Sequence, residues 1–321
     1  MKERNEVMQE EKLLIIGSGP AGLTAALYTG RAGLSPKVFV GPELGGQISL
    51  TWTVENYPGF PEPISGAELV DRLAKQAKRW GATLVTDVVK EVDFTHKPFR
   101  IRTTKEEYRT DSVIVTTGAT PKKLHIPGEK EFTGRGVSYC ATCDGPLFRE
   151  KDVVVVGGGD SAIEEALFLT KFCKKVILAH RRDSLRATPV LQELAKKNEK
   201  IQFLWNTELK EIQGKESIEK VRIWNSKTQN EDTISVHGVF VFIGQTPNTA
   251  LFEGKLAMTP SGHLIVDERK HANVEDVFAA GECEDGYFKQ IATAVGDGCR
   301  AGMEAERFLL RLSEKDIKER R

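Results

Sequence analysis

"KLLIIGSGPAGLTAALYTGRAG", residues 12–33, is a short apolar strand, a glycine turn and a helix rich in Ala and Leu. Gly17, Gly19 and Gly22 fill the three places of a G-x-G-x-x-G fingerprint. The first glycine permits a tight turn, the second lets backbone approach a pyrophosphate, and the third lets the helix pack closely on its strand. The helix N-terminus behind the turn attracts the anion. The strand before the glycines and the helix after them raise this above an ordinary turn.

The pattern recurs in "KDVVVVGGGDSAIEEALFLTKFC", residues 151–173, with Gly157, Gly159 and then Ala162 in the third place. The next strand, "KVILA" at 175–179, runs into "HRRDSLRA" at 180–187. An acid near this point would suit the ribose of NAD, whereas arginines suit the 2′-phosphate of NADPH. Arg181, Arg182 and Arg186 supply permanently charged forks for that phosphate. A solvated basic turn is the plainer reading, but the place at the end of a second nucleotide-unit strand favours the phosphate.

Near the C-terminus a strand, 277–280, ends in Gly281-Glu282, and a long helix begins near Gln290. An acid at a strand end can bind a ribose or ribityl hydroxyl, and a helix N-terminus can face the electron-rich edge of a flavin. If this segment completes the first unit, the second unit is inserted within it. "TTGATPKKL" (116–124) and "FIGQTPNTALF" (242–252) are the matching crossings, each an apolar strand running into Gly, Thr and Pro. The expected fold is α/β, with two Rossmann-like nucleotide-binding domains, the second inserted into the first. The boundaries fall at 1–121, 122–246 and 247–321.

Composition agrees with two soluble domains: 321 residues, 40% hydrophobic and 29% charged, with 46 basic against 46 acidic side chains. That zero net charge offers nothing to nucleic acid or a membrane surface. The charged start has no signal-peptide apolar region, and no apolar run approaches the ~20 residues of a membrane span. A cytoplasmic setting follows, in which a structural disulfide is out of place. Five cysteines are present, and only Cys140 and Cys143, in "SYCATCDGPLF" (138–148), are paired in sequence. Such a pair can hold a metal, staple a loop or carry electrons.

These segments together resemble the low-molecular-weight bacterial and archaeal thioredoxin reductases. The likeness runs through "GSGPAG", "GGQ" (45–47), "VENYPGFPE" (54–62), "CATCDG" (140–145), "GGGDSAIEEA" (157–166), "HRRDSLRA", "GQTPNT" (244–249) and "GECEDGYFKQIATAVGDG" (281–298). The resemblance implies a homodimer binding FAD and NADPH in each subunit, with electrons passing from NADPH to flavin, to the Cys-x-x-Cys disulfide, and then to thioredoxin. Carried over by position, Gly17, Gly19, Pro20, Ala21 and Gly22 would hold the FAD pyrophosphate. Gly46, Gln47 and Asn56 would lie along the flavin, with Gly281, Glu282, Lys289, Gln290 and Ile291. Gly157, Gly159, Asp160, Ser161, Ala162, His180 and the three arginines would take NADPH. Cys143 would face the flavin, Cys140 would attack thioredoxin, and Asp144 would be the nearby acid. The inserted domain would turn about crossings near Thr120 and Gln245. The family usually has Asp where this chain has Glu282, and Arg where it has Lys289.

The cysteine pair can then be weighed. A structural zinc wants about four Cys or His ligands, commonly as two pairs; one C-x-x-C and six scattered histidines do not supply them, and no metal is expected. A bridge over so short a loop constrains little chain entropy. A dithiol relay fits the closeness of the thiols, the small residues between them and the adjacent acid. The rival with the same architecture is the flavoprotein of an alkyl hydroperoxide reductase system, which normally carries an extra thioredoxin-like N-terminal region; roughly ten residues before the first strand leave no room for one. A ferredoxin–NADP reductase of this fold would lack the cysteines. A nucleotide-sensing protein without catalysis is the reading from a different class, and steady turnover of NADPH with a disulfide acceptor separates it.

Overall fold

The computed structural model describes residues 8–319, so the charged start up to Val7 lies outside the described residues. The chain divides into two compact units: Met1–Thr51, Tyr57–Thr120 and Thr246–Arg321 form one, and Trp52–Asn56 with Pro121–Gln245 the other.

The first unit opens with β1 (Gln9–Ile16), α1 (Pro20–Arg31), β2 (Lys37–Phe39), α2 (Gly66–Arg79) and β3 (Thr83–Val85). It continues with β4 (Val89–Asp93), β5 (Phe99–Thr103), β6 (Glu107–Val115) and β7 (Ala119–Pro121). The second unit contains α3 (Glu129–Phe132), β8 (Val137–Ser138), α4 (Ala141–Asp144), β9 (Asp152–Gly157), α5 (Asp160–Leu169), β10 (Lys175–His180), α6 (Pro189–Lys197) and β11 (Ile201–Trp205). Then come β12 (Thr207–Gly214), β13 (Ile218–Asn225), β14 (Asn230–Ser235), β15 (Gly238–Phe242) and the crossing strand β16 (Gln245–Pro247), which pairs with β7. The chain finishes in the first unit with β17 (Val277–Ala279) and α7 (Ile291–Glu319).

The first sheet runs β3-β2-β1-β6, with parallel pairing throughout. Beyond β6 two strands share one edge: β5 pairs antiparallel with its first half, and β17 parallel with Val113–Val115. The C-terminal segment thus completes the sheet that the N-terminal segment begins. The apolar run in β1 is continuous because both faces are covered. Leu13 and Ile15 pack with Ala21, Ala25, Ala301 and Ala305 of α1 and α7, while Leu14 and Ile16 pack with Phe39, Phe99, Tyr108 and Phe252. Each buried Leu, Ile or Phe side chain among these stabilises the fold by about 1.5–3 kcal/mol. The small residues let α7 lie on α1 backbone to backbone: a Cβ at Gly298 would stand 2.1 Å from the Ala21 carbonyl oxygen.

The second unit repeats the scheme with a fully parallel sheet, β11-β10-β9-β15-β8. Val153 and Val155 of β9 face Ile163, Ala166 and Leu169 of α5. Val154 and Val156 face Leu209, Ile212, Val221 and Ile223 of an antiparallel meander, β12-β13-β14, which replaces helices as the second cover. Because the pairing is parallel, the carboxyl ends of β8, β9, β10 and β15 lie along one edge. That edge is where open α/β sheets bind ligands.

Candidate active site

The turn after β8 carries the cysteines. Cys140 and Cys143 are joined as a disulfide, with Cα atoms 5.3 Å apart. Extended backbone at Cys140 leads into the single turn α4, and the Cys143 N–H donates to Cys140 Sγ at 3.2 Å. Ser138, buried at the end of β8, fixes the approach: its hydroxyl donates to the Cys140 carbonyl and accepts from the Cys140 N–H, both at 3.1 Å. Glu165 of α5 accepts from the Ala141 N–H at 3.2 Å. Both cysteines are partly exposed, with exposed Thr142 between them. The free cysteines Cys173 and Cys283 differ, since burial pushes each thiol up to about 11.

Asp144 ends the same turn, and burial raises its carboxyl above the usual aspartate range, against a lowering hydrogen bond with Ser138. The folded state therefore holds the Asp144 proton more tightly than the unfolded chain. The resulting penalty is absent below the ordinary aspartate pKa and sets in as pH rises through the raised value. Asp144→Asn is expected to melt later than wild type above that range and together with it below. Melting temperatures across pH 3 to 8 (pH values chosen around the ~3.9 reference) check this, and parallel curves would contradict it.

On the same sheet edge the second glycine loop leaves β9. Gly159 caps α5 with no side-chain hydrogen bond, and a Cβ built there meets nothing within 4 Å, so the helix end is open to an anion. Asp160, exposed at the start of α5, accepts at Oδ1 from the Thr188 N–H at 2.6 Å. Ser161 is exposed and Ala162 fully buried. His180 lies beneath the loop, buried, its Nε2 3.0 Å from the Ser184 carbonyl, where a Cβ on Gly158 would strike the ring. Arg181, Arg182 and Arg186 are exposed, and the loop bearing them is tied down by the Arg186 N–H to Gly158 O at 2.8 Å.

In the first unit Gly17 turns with φ +115°, and Gly19 caps α1 with Pro20 at its first position and no side-chain cap. Ala21 and Gly22 are buried, and a Cβ at Gly22 would lie 2.2 Å from the Gly17 carbonyl oxygen. Thr116, beyond β6, donates its hydroxyl to the carbonyls of Ile16 (3.1 Å) and Gly17 (3.0 Å). Gly46 faces open space. Gln47 donates to the Ala119 carbonyl and, at 3.0 Å, to Glu282 Oε2. Burial raises the Glu282 carboxyl, opposed by the nearby Lys289 charge and the Gln47 hydrogen bond. Gly281 is buried after β17, Gln290 accepts from the Ala294 N–H at 3.0 Å, and Ile291 starts α7. Asn56 lies in the 52–56 stretch grouped with the second unit.

The pyridine nucleotide-disulphide oxidoreductase family model matches residues 11–298. A thioredoxin reductase of Chlamydia trachomatis serovar D is 46% identical over 310 residues, covering 94% of this chain and 99% of that protein. One from Streptomyces coelicolor is 46% identical over 307 residues, covering 95% of each. The crystal structure of thioredoxin reductase from Streptococcus pyogenes MGAS5005 superposes with a TM-score of 0.91 at 40% identity, covering 94% of this chain and 99% of that one.

The chain belongs to the thioredoxin reductase family.

Against the family pattern, Glu282 accepts the Gln47 amide in spite of its extra methylene. Three residues not singled out from sequence join the site. Thr116 braces the first glycine turn, and Ser138 braces Cys140 while reaching Asp144. Thr117 carries a buried Oγ1 with no hydrogen-bond partner among the described residues, at the sheet end where the first glycine loop lies. Each lies at or within two residues of a β-strand end, a positional signal that composition does not flag. No helix among the described residues is long and apolar enough to cross a membrane.

Proposed function

We propose that the chain reduces thioredoxin at the expense of NADPH, using FAD held by the unit built from the two chain ends and NADPH held by the inserted 122–246 segment. One observation carries this reading: the Cys140–Cys143 disulfide stands on the same sheet edge as the second glycine loop and its arginines. The first unit fits a flavin dinucleotide, because an uncapped 12-residue helix, the open face at Gly46 and the orphaned Thr117 hydroxyl converge at one sheet end. Bound FAD would supply the two-electron relay between nicotinamide and disulfide. Gln47 and Glu282 would orient it, Gly19 and the α1 N-terminus would hold its pyrophosphate, and Lys289, Gln290 and Ile291 would face its ring.

Two electrons and two protons open the Cys140–Cys143 bond to two thiols. The Cys140 thiolate, with the Cys143 N–H aimed at its sulfur, attacks the thioredoxin disulfide and releases one partner thiolate. The Cys143 thiolate then attacks Cys140 Sγ, re-forms the original bond and releases the second. Asp144, whose carboxyl burial pushes above the usual aspartate range, takes the proton each attacking thiol gives up and passes it to the leaving sulfur. A homodimer and a cytoplasmic setting belong to the same proposal, and light scattering tests the dimer.

Arg182→Ala is expected to raise KM for NADPH roughly 10- to 150-fold, the value of one charge-assisted contact of ~1.5–3 kcal/mol, with little change for NADH. Equal losses with both nucleotides would remove the arginines from phosphate recognition. The function itself is tested by steady-state NADPH oxidation with oxidised thioredoxin as acceptor.

A further inference from the structure

The loop between β17 and α7 carries Glu282, Lys289 and Gln290, and beneath it lies a buried ionic cluster that the mechanism does not use. Lys270 Nζ is 2.6 Å from Glu284 Oε1 and 2.8 Å from Asp297 Oδ1, and the three side chains are 8%, 8% and 6% exposed. Glu284 belongs to the loop and Asp297 to α7, so one lysine joins the two. Lys270 itself sits in a left-handed turn, φ +72°, rare for a residue of this size. That turn is pinned by the Lys270 N–H to Asp267 O and by the Ala279 N–H to Lys270 O, both 3.0 Å.

The groups facing one another are Glu284 and Asp297, Lys270, and Arg300, which lies 2.5 Å from Asp297 Oδ1; Asp285 and Cys283 flank Glu284 in the chain. Two carboxylates and two cations cancel. With Lys270 removed, Asp297 keeps Arg300, but Glu284 keeps no close cation among the described residues. An uncompensated buried carboxylate is strongly unfavourable, so it must take up a proton or leave for water. The Glu284 N–H donates to the Gly281 carbonyl at 2.9 Å, so a departing Glu284 pulls on the turn that holds Glu282.

We propose that Lys270 is a positioning residue for the flavin, acting through Glu284 to fix the loop that presents Glu282 and Lys289. This rests on the reading that the first unit binds FAD.

The test is FAD affinity, measured by fluorescence titration of the apoprotein with FAD at pH 8 and pH 5.5. Wild type is expected to bind similarly at both. Lys270→Met should weaken binding roughly tenfold or more at pH 8, and recover most of it at pH 5.5, where Glu284 can hold a proton. The double variant Lys270→Met/Glu284→Gln, with no unpaired carboxylate, should bind within about threefold of wild type at pH 8, because neutral replacement of a buried pair is often tolerated. Unchanged binding by Lys270→Met overturns the proposal, as does a loss relieved by neither acid nor the second substitution. Should Lys270→Met not fold, the double variant decides alone: failure to fold or to take up FAD overturns the proposal. Wild-type protein that takes up no FAD would instead sink the flavin reading, and this inference with it.

Discussion

Cys140→Ser is expected to lose thioredoxin reduction by ~10³-fold or more, the scale of removing a nucleophile, while still taking up FAD and accepting electrons from NADPH. A serine hydroxyl cannot form the mixed disulfide, and Cys143 alone has no partner with which to re-form the bond. Neither glycine loop touches the substitution. Since the disulfide closes a loop of sequence separation 3, its loss removes little chain entropy from the unfolded state, and folding should survive. Cys143→Ser should be equally inactive in turnover, but for a different reason. Cys140 remains able to attack, and nothing resolves the adduct. A stable mixed disulfide with thioredoxin is therefore expected from Cys143→Ser and not from Cys140→Ser, read by non-reducing electrophoresis. Trapping with the opposite variant would reverse the assigned order of the two thiols.

The second large effect is expected at Gly17. Its φ of +115° belongs to glycine, and a Cβ there would lie 2.3 Å from the Thr116 carbonyl oxygen and 3.0 Å from its hydroxyl. Both contacts are with groups that cannot retreat, since Thr116 is bonded to Ile16 and Gly17 themselves. Backbone strain of about 1–3 kcal/mol adds to an overpacking cost of about 1–3 kcal/mol. Gly17→Val should accordingly unfold at a markedly lower denaturant concentration and be purified without flavin. Gly46→Ala is the control. Its φ is +60°, but its Cβ would meet open space, so only the backbone cost applies. If Gly17→Val kept its stability and its FAD, the first glycine turn would not be the cradle described above.

Much of this was legible in the chain because glycine, proline and paired cysteine report local requirements. "GSGPAG" demands a turn between strand and helix whatever surrounds it, and "VVVV" before "GGGD" demands a strand covered on both faces. What covers the second face was not legible: the β12–β14 meander alternates polar and apolar residues, and only the fold decides that its apolar side meets Val154 and Val156. Side-chain partners set by the fold were also hidden. His180 stands in a run of basic residues, and the chain alone does not show that its ring lies under Gly158 beside the Ser184 carbonyl. Asp160 reads as part of the glycine loop, and its carboxylate is occupied by Thr188. Lys270, Glu284 and Asp297 are separated by up to 27 positions and meet only because β17 and α7 close the first sheet.

The most direct measurement follows NADPH oxidation in the presence of a disulfide reporter, with and without oxidised thioredoxin. Electrons that leave through Cys140 to a protein partner give rapid reporter reduction only when thioredoxin is present, and none with Cys140→Ser. Equal rates with and without thioredoxin, or undiminished turnover in Cys140→Ser, would contradict the account.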